Sequence, residues 1–339
     1  MSIPERDISI LIPTYRYRDK VVRAVQSALA SGAGEVIVTD DRSGDGTIER
    51  LAEFDDPRLQ VIENEHNLGL WENHLRALSR ATRPWIKFIQ ADDYLLPGGL
   101  AAYAASAADG VAVVWGAPIA VNDDTGETYQ TYSLSKPRRI DRETFQDACL
   151  DFGWLLGSPS YWLMRADVIE RDPMVWVTAM SADMVVGSIA ATRGDVVLLP
   201  PGAIGHGHHA LQDSITQKAG SGLRRMARSL AYLRRRPEPG LRELANRWRF
   251  LNRKVMLRTA VKSLIFEPGA RGGVLRDAWE LLGPHGSLDR RDIRQGKERL
   301  IAASRFRNTS STPFDLDRLL GREFAESSRE IPELKSSAA

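Results

Sequence analysis

The chain almost lacks cysteine. Cys149 is the only one among 339 residues, so no disulfide can close within it. That excludes a disulfide-stapled scaffold and any zinc or iron–sulfur centre built on several thiolates, and it suits a reducing compartment. Long hydrophobic runs are lacking too. No stretch of about 18 apolar residues occurs, so no transmembrane helix is predicted. Met1 to Asp7 is polar and the first apolar run is only a strand long, which is not the pattern of a signal peptide. No His-Glu-X-X-His motif is present, and no internal repeat is visible. A cytoplasmic location is the expectation these absences leave.

What is present is 43% hydrophobic and 27% charged, an ordinary globular composition in a chain long enough to bury a large core. The net charge of +2 conceals an asymmetry. Residues 218–276 hold about 16 Lys or Arg against about 3 Asp or Glu, while 277–339 balance at about 11 of each sign. Residues 1–217 are left with a net charge near −11. A mildly acidic front joined to a strongly basic segment predicts a surface that meets an anionic partner. Within that segment, Leu223, Met226, Ala227, Leu230, Ala231 and Leu233 form an apolar stripe flanked by arginines. Pro237, Pro239 and Gly240 break it, and Leu241, Leu244, Ala245, Trp248, Leu251 and Val255 begin a second amphipathic helix. No groove-reading motif or aromatic-interleaved basic ladder accompanies the arginines, so nucleic acid is not an expected partner. Two readings stay open. Either these helices close the domain with a solvated arginine face, or residues 223–276 lie on an anionic membrane surface, peripheral to the inner face of the cell membrane.

Before residue 217 short apolar runs alternate with helical spacing. Ile8 to Ile12, Glu35 to Thr39, Leu59 to Ile62 and Trp85 to Ile89 read as strands; Val21 to Leu29, Thr47 to Phe54 and Leu70 to Ala81 read as the helices between them. Val111 to Trp115 is a further strand, Asn122 to Tyr132 a polar hairpin or loop, and Met184 to Arg193 a helix. Asp195 to Leu199 reads as a strand stopped by Pro200-Pro201-Gly202. The alternation predicts an α/β fold with a doubly wound, mostly parallel sheet flanked by helices. Three units are expected: an α/β domain over 1–217, the basic helical extension over 218–306, and a Ser-rich tail, 307–339, that packs poorly. In such sheets ligands sit at the carboxyl ends of the strands. Pro13-Thr14-Tyr15, Asp40-Asp41 and Asp92-Asp93 all fall there.

The last of these is the most telling. Phe88-Ile89-Gln90-Ala91-Asp92-Asp93 is a strand that ends in two adjacent carboxylates. Such a pair repels itself unless donors or a cation hold it, and oxygen ligands suit Mg²⁺ or Mn²⁺ together with a phosphate. Taken alone it is equally an acidic turn. Four blocks in order are more specific: Ile-Leu-Ile-Pro-Thr-Tyr (10–15), Val-Thr-Asp-Asp-Arg-Ser-Gly-Asp-Gly-Thr (38–47), Asn-Leu-Gly-Leu-Trp-Glu-Asn (67–73) and Phe-Ile-Gln-Ala-Asp-Asp-Tyr-Leu-Leu-Pro (88–97). Over residues 8–97 the chain resembles the family 2 inverting glycosyltransferases of GT-A fold.

The resemblance implies a nucleoside-diphosphate sugar donor, UDP-linked, and a glycan or lipid-linked acceptor in envelope polysaccharide or glycoconjugate synthesis. It implies donor contacts from Pro13, Thr14, Tyr15, Asp41, Asn67, Asn73, Gln90 and Asp92, with Asp41 accepting from a ring N–H of the base. The alternative for Tyr15 is a packing aromatic, Asn67 and Asn73 are equally cap or turn residues, and Asp45 reads as a helix cap. A divalent ion, Mn²⁺ or Mg²⁺, would be held by Asp92, Asp93 and His209, the last taken from His206-Gly207-His208-His209, where half of the six histidines lie. His209, Gln212 and Ser214 reproduce the spacing of the family's diphosphate-bordering histidine. The chain departs from the family's Asp-X-Asp at its first position, which is Gln90. The catalytic base would be Asp183, opening an apolar helix; its alternative role is an N-terminal helix charge, and Asp167 and Asp172 are the other carboxylates of the region. Two rivals remain. A sugar nucleotidyltransferase would need a Gly-rich loop where Pro13-Thr14-Tyr15-Arg16 stand, and a non-catalytic nucleotide-sugar-binding or membrane-scaffold protein would account for Gln90.

Overall fold

The computed structural model describes residues 2–152, 157–178, 182–209, 228–251, 314–317 and 329–330. The expected parallel quartet forms. β1 (Ile8–Thr14), β2 (Glu35–Asp40), β3 (Leu59–Glu63) and β4 (Trp85–Phe88) are parallel neighbours in the order β3-β2-β1-β4. Every residue of β1, β2 and β4 is buried, as both faces of a helix-covered parallel sheet must be. α1 (Arg18–Leu29) lays Val21, Ala24, Val25 and Ala28 on the sheet at helical spacing. α2 (Thr47–Leu51) and α3 (Leu70–Leu78) are each about a turn shorter than the sequence suggests. Because β1 leads to β2 on one side and pairs with β4 on the other, the chain reverses its winding between β1 and β4 and leaves a crevice at their carboxyl ends.

The second half of the sheet is mixed. β10 (Trp162–Arg165) runs antiparallel between β4 and β6 (Val111–Asn122), and β11 (Asp195–His208) is parallel to β6. β6 is longer than expected and folds back as β7 (Thr128–Gln130), making the predicted hairpin. β5 (Tyr94–Leu95) pairs with the far part of β11. The prolines do not stop β11. Leu199 faces Gly116 and Ile204 faces Pro118, so residues 200–203 bulge out where no ladder N–H is demanded of Pro200 or Pro201. The strand then resumes and carries His206 and His208 in the sheet, not on a surface loop.

α4 (Gly99–Ser106), α5 (Arg142–Phe152), α6 (Pro173–Thr178) and α7 (Ala182–Ala190) cover the sheet, with the short strands β8 (Tyr132–Ser133) and β9 (Arg138–Ile140) between α4 and α5 in sequence. Of the basic extension, residues 228–235 are helical and α8 (Leu241–Leu251) follows. Leu230, Leu233, Leu241, Leu244, Ala245 and Trp248 are buried, and α8 packs on α5. This part of the apolar stripe is thus covered by the protein itself. Leu223, Met226, Ala227, Val255 and the remainder of 218–306 lie outside the described residues. Of residues 307–339, Phe314–Asp315 (β12) pairs with β8 and Arg329–Glu330 (β13) extends the sheet beyond β9. No helix among the described residues is long and apolar enough to cross a membrane.

Candidate active site

A cavity of about 1080 Å³ opens at the carboxyl ends of β1, β2 and β4. Pro13, Thr14 and Tyr15 line it from the turn after β1, Asp41 and Asp45 from the turn after β2, and Gln90 and Asp92 from the turn after β4. Asn67 and Asn73 border it, and Asp183, His206 and His209 reach it from the second half of the chain. One space therefore collects Pro13, Thr14, Tyr15, Asp41, Asn67, Asn73, Gln90, Asp92, Asp183 and His209, and of the expected donor, metal and base residues it leaves out only Asp93.

The turn geometry explains the placement. Arg16 and Arg42 follow β1 and β2 with positive φ, 57° and 60°. Non-glycine residues adopt this region where the surroundings impose it, commonly at ligand sites. Here the Arg16 N–H donates to Ser43 Oγ at 2.8 Å, tying the two turns together. Asp41 is buried and fixes the third wall: the backbone N–H groups of Leu68 and Gly69 donate to its carboxylate at 2.7 and 2.8 Å, and Asn64 donates at 3.0 Å. Asn67 donates to the Asp41 carbonyl at 3.1 Å. Asn73 donates to the carbonyls of Thr14 and Thr39 and accepts from Asn64, so its amide braces β1 against β2. Asp45 accepts from the N–H and hydroxyl of Thr47, the first residue of α2; the cap position itself is Gly46, so Asp45 holds the turn just before the helix. Tyr15 is 40% exposed at the mouth with the Arg16 guanidinium 5.1 Å from its ring centre. Thr14 Oγ1 is buried beneath it with no partner.

The two adjacent carboxylates point different ways. Asp92 faces the cavity, and its Oδ2 lies 3.2 Å from His209 Nε2, with Tyr17 packed edge-on against that imidazole. Asp93 is fully buried. Its Oδ1 pairs with His206 Nδ1 at 2.8 Å and accepts from the Gly207 N–H at 3.1 Å, while Oδ2 is enclosed without a partner. Burial works against charge on His206, but the Asp93 carboxylate and their shared hydrogen bond outweigh it and raise the imidazole above its ordinary range. Beneath Asp93 lies Lys87, fully buried on β4, donating to the carbonyls of Ser160 and Phe88 over the Tyr103 ring. Burial lowers its pKa to about 7, with Asp93 opposing. Sequence reading passed over Lys87, although a lysine inside a strand buried on both faces is itself the signal.

Among the described residues no group of three or more His, Cys, Asp or Glu side chains is arranged to hold a metal. Asp92 and His209 offer one oxygen and one nitrogen at the cavity wall. Such a pair fits a cation that completes its shell with substrate phosphates and water, the usual habit of Mg²⁺. Gln212 and Ser214 lie outside the described residues.

Asp183 is the second residue of α7, with one carboxylate oxygen enclosed and unpartnered at the cavity. Burial raises its pKa to about 7 against two backbone N–H groups that favour the anion. Asp172 is committed elsewhere, capping α6 through the Met174 N–H and accepting from Tyr232, and Asp167 pairs with Arg165.

Residues 9–172 match the family model described as Glycosyl transferase family 2. Over 96 residues the chain is 33% identical to the succinoglycan biosynthesis protein ExoO of Rhizobium meliloti, a stretch covering 28% of each chain. Over 88 residues it is 31% identical to the UDP-Glc:alpha-D-GlcNAc-diphosphoundecaprenol beta-1,3-glucosyltransferase WfgD of Escherichia coli, covering 25% of this chain and 35% of that one. The chain thus spans about a third or less of the length of these curated relatives. Among solved structures, residues 1–349 of S. aureus TarS in complex with UDP-GlcNAc superpose with a TM-score of 0.63 at 16% identity, over 88% of this chain and 89% of that one. That likeness is one of fold, and it is the GT-A-type α/β architecture expected from the sequence.

Proposed function

Since residues 9–172 form a family 2 glycosyltransferase domain, we propose that this chain moves a sugar, with inversion, from a UDP-linked donor to a hydroxyl of a glycan or lipid-linked acceptor in envelope polysaccharide or glycoconjugate synthesis. The observation that carries this reading is the meeting of Asp92, His209 and Asp183 in one cavity at the switch point of the sheet. Asp183 Oδ1 takes the proton of the acceptor hydroxyl as that oxygen bonds to the anomeric carbon. The bond from that carbon to the diphosphate breaks at the same time, and the electron pair leaves with the nucleotide. A divalent ion between Asp92 and His209, Mn²⁺ or Mg²⁺, would offset the charge gathering on the leaving diphosphate. Gln90 takes the place of a carboxylate and contributes no charge, so the two-residue ligand set leans on the diphosphate itself. We assign Asp93 to bracing β11 rather than to direct ligation.

Tyr15 and Thr14 hold the base end of the donor, the first by its exposed ring face and the second by its unpartnered hydroxyl. Asp41 Oδ2, engaged by the Gly69 N–H, has a further lone pair for a ring N–H. WfgD's name specifies a diphosphoundecaprenol-linked acceptor, which sits at a membrane surface; the basic segment supplies the charge to approach anionic lipid there.

Titration with UDP, with and without Mn²⁺, followed by a screen of UDP-sugars for UDP release, tests the reading. UDP should bind more tightly with Mn²⁺, and Asp183→Asn should keep that affinity while lowering transfer by about 100-fold or more. Unchanged transfer would remove Asp183 from the base role. UDP binding without turnover of any donor would instead favour the nucleotide-sugar-binding scaffold.

A further inference from the structure

β11 and β7 carry rings that form a continuous file leading out of the cavity. Beyond its bulge, β11 alternates glycine and histidine: Gly205, His206, Gly207, His208. The glycines face a packed layer. A Cβ on Gly205 would stand 2.7 Å from the Tyr94 ring, and one on Gly207 would stand 2.4 Å from the Asp92 carbonyl oxygen. The histidines take the opposite face, since strand side chains alternate. His206 lines the cavity and meets Tyr161 edge-on, with centroids 5.5 Å apart. His208 lies edge-on to His206 at 4.6 Å and stacks on Tyr129 of β7 at 5.7 Å, with the two planes 24° apart. Register agrees: His206 and Tyr129 both pair with Ala120 of β6, so all three share one face of the sheet. Tyr129 is 48% exposed on a strand whose three residues are all exposed.

We propose that Tyr129, backed by His208, is a sugar-binding platform of the acceptor subsite, holding a pyranose ring of the acceptor glycan beyond the one that carries the reacting hydroxyl. One face of a pyranose presents C–H bonds of partial positive charge, and the face of a phenol ring carries the complementary negative quadrupole. A ring already held flat by a neighbour loses little rotamer freedom when a sugar settles on it. The file runs from the cavity wall at His206 outward by two ring contacts, to His208 and then to Tyr129. The backbone turn beside it is ordered: the Asp124 and Thr125 N–H groups converge on Asn122 Oδ1 at 2.9 and 3.0 Å. This inference rests on the transferase reading above and adds the chemistry of its acceptor side.

The test uses full-length protein saturated with UDP and Mn²⁺ and a panel of methyl glycosides and oligomers, one to four units long, of glucose, galactose and N-acetylglucosamine. Saturation-transfer NMR reports which sugar protons touch the protein. Oligomers of two or more units should bind at least about tenfold more tightly than the monomer, a gain of about 1.4 kcal/mol. Tyr129→Ala should abolish that length dependence, Tyr129→Phe should retain it, and UDP affinity should be equal in all three proteins. Length-independent binding, no contact with any sugar of the panel, or an unchanged Tyr129→Ala protein would overturn the platform while leaving donor binding intact. Failure of the wild-type protein to bind UDP would instead overturn the transferase reading.

Discussion

At the scale of single residues the site turns on which oxygen is left without a partner. Asp183 has a carboxylate oxygen enclosed at the cavity and a pKa raised by burial to about 7. The sign follows. The proposed base must be ionised, so transfer should be weak well below pH 7, rise through about pH 7 and level above it in a kcat/KM profile. The fold responds in the opposite sense. A carboxyl whose folded pKa lies above its unfolded value binds its proton more tightly when folded, so this group's contribution to stability is present at low pH and fades as pH rises through about 7. Asp183→Asn should flatten that part of the stability curve in denaturant titrations at pH 5 and pH 9. The Asp92-Asp93 pair was legible as a strand-end motif, but not the division of labour within it. Asp93 is turned inward by His206 and Gly207, more than a hundred positions away, and no local pattern announces such a partner. The amide of Asn73 is a similar case: its backbone partners on β1 and β2 exist only once the sheet has assembled.

At the scale of elements, strands buried on both faces read clearly from sequence because their apolar runs are continuous; the rule that a proline ends a strand serves less well, since β1 runs through Pro13 to Thr14. β11 defeats the same rule, since its two prolines fall where the partner strand asks nothing of them. The stretch after the bulge is held at very close range. Gly207→Ala should push β11 from the Asp92 backbone and part His209 from Asp92. The expected result is weaker Mn²⁺ enhancement of UDP binding at a stability cost of about 1–3 kcal/mol, read by titration and chemical denaturation. The C-terminal helices are fastened at a second cluster. Arg236 pairs with Glu170 at 3.0 Å and with Glu238, and Arg193 reaches Glu238 at 3.2 Å. Glu238 is drawn down to about 2; burial opposes this, and the hydrogen bonds from Arg236 and Arg193 overcome it. Arg236→Met should leave two half-buried carboxylates short of a cation and cost about 1–3 kcal/mol, measured as a fall in the denaturation midpoint.

At the scale of the whole molecule, the basic segment has two tasks in the proposed reading, one of packing and one of charge. Its described apolar residues close the core, which leaves the arginine faces as the part able to meet an anionic surface. Binding to vesicles containing about 30% anionic lipid should therefore weaken steeply between about 50 and 300 mM salt, and neutral vesicles should not bind. Co-sedimentation checks both. An apolar insertion would show little salt dependence and would remove this assignment. The sequence could not divide the two tasks, because an amphipathic helix has the same period whether its apolar face meets a core or a bilayer. The end of the chain carries the last consequence. Arg329–Glu330 joins the site's own sheet beside β9, and Phe314–Asp315 pairs with β8 in a separate two-stranded sheet, so segments from beyond residue 306 are stitched onto the folded domain. A surface that binds the folded chain through its arginines is then a ligand of the whole fold. By mass action it should raise the melting temperature of the catalytic sheet, and a nucleotide bound in the cavity should help hold the C-terminal stitches in place.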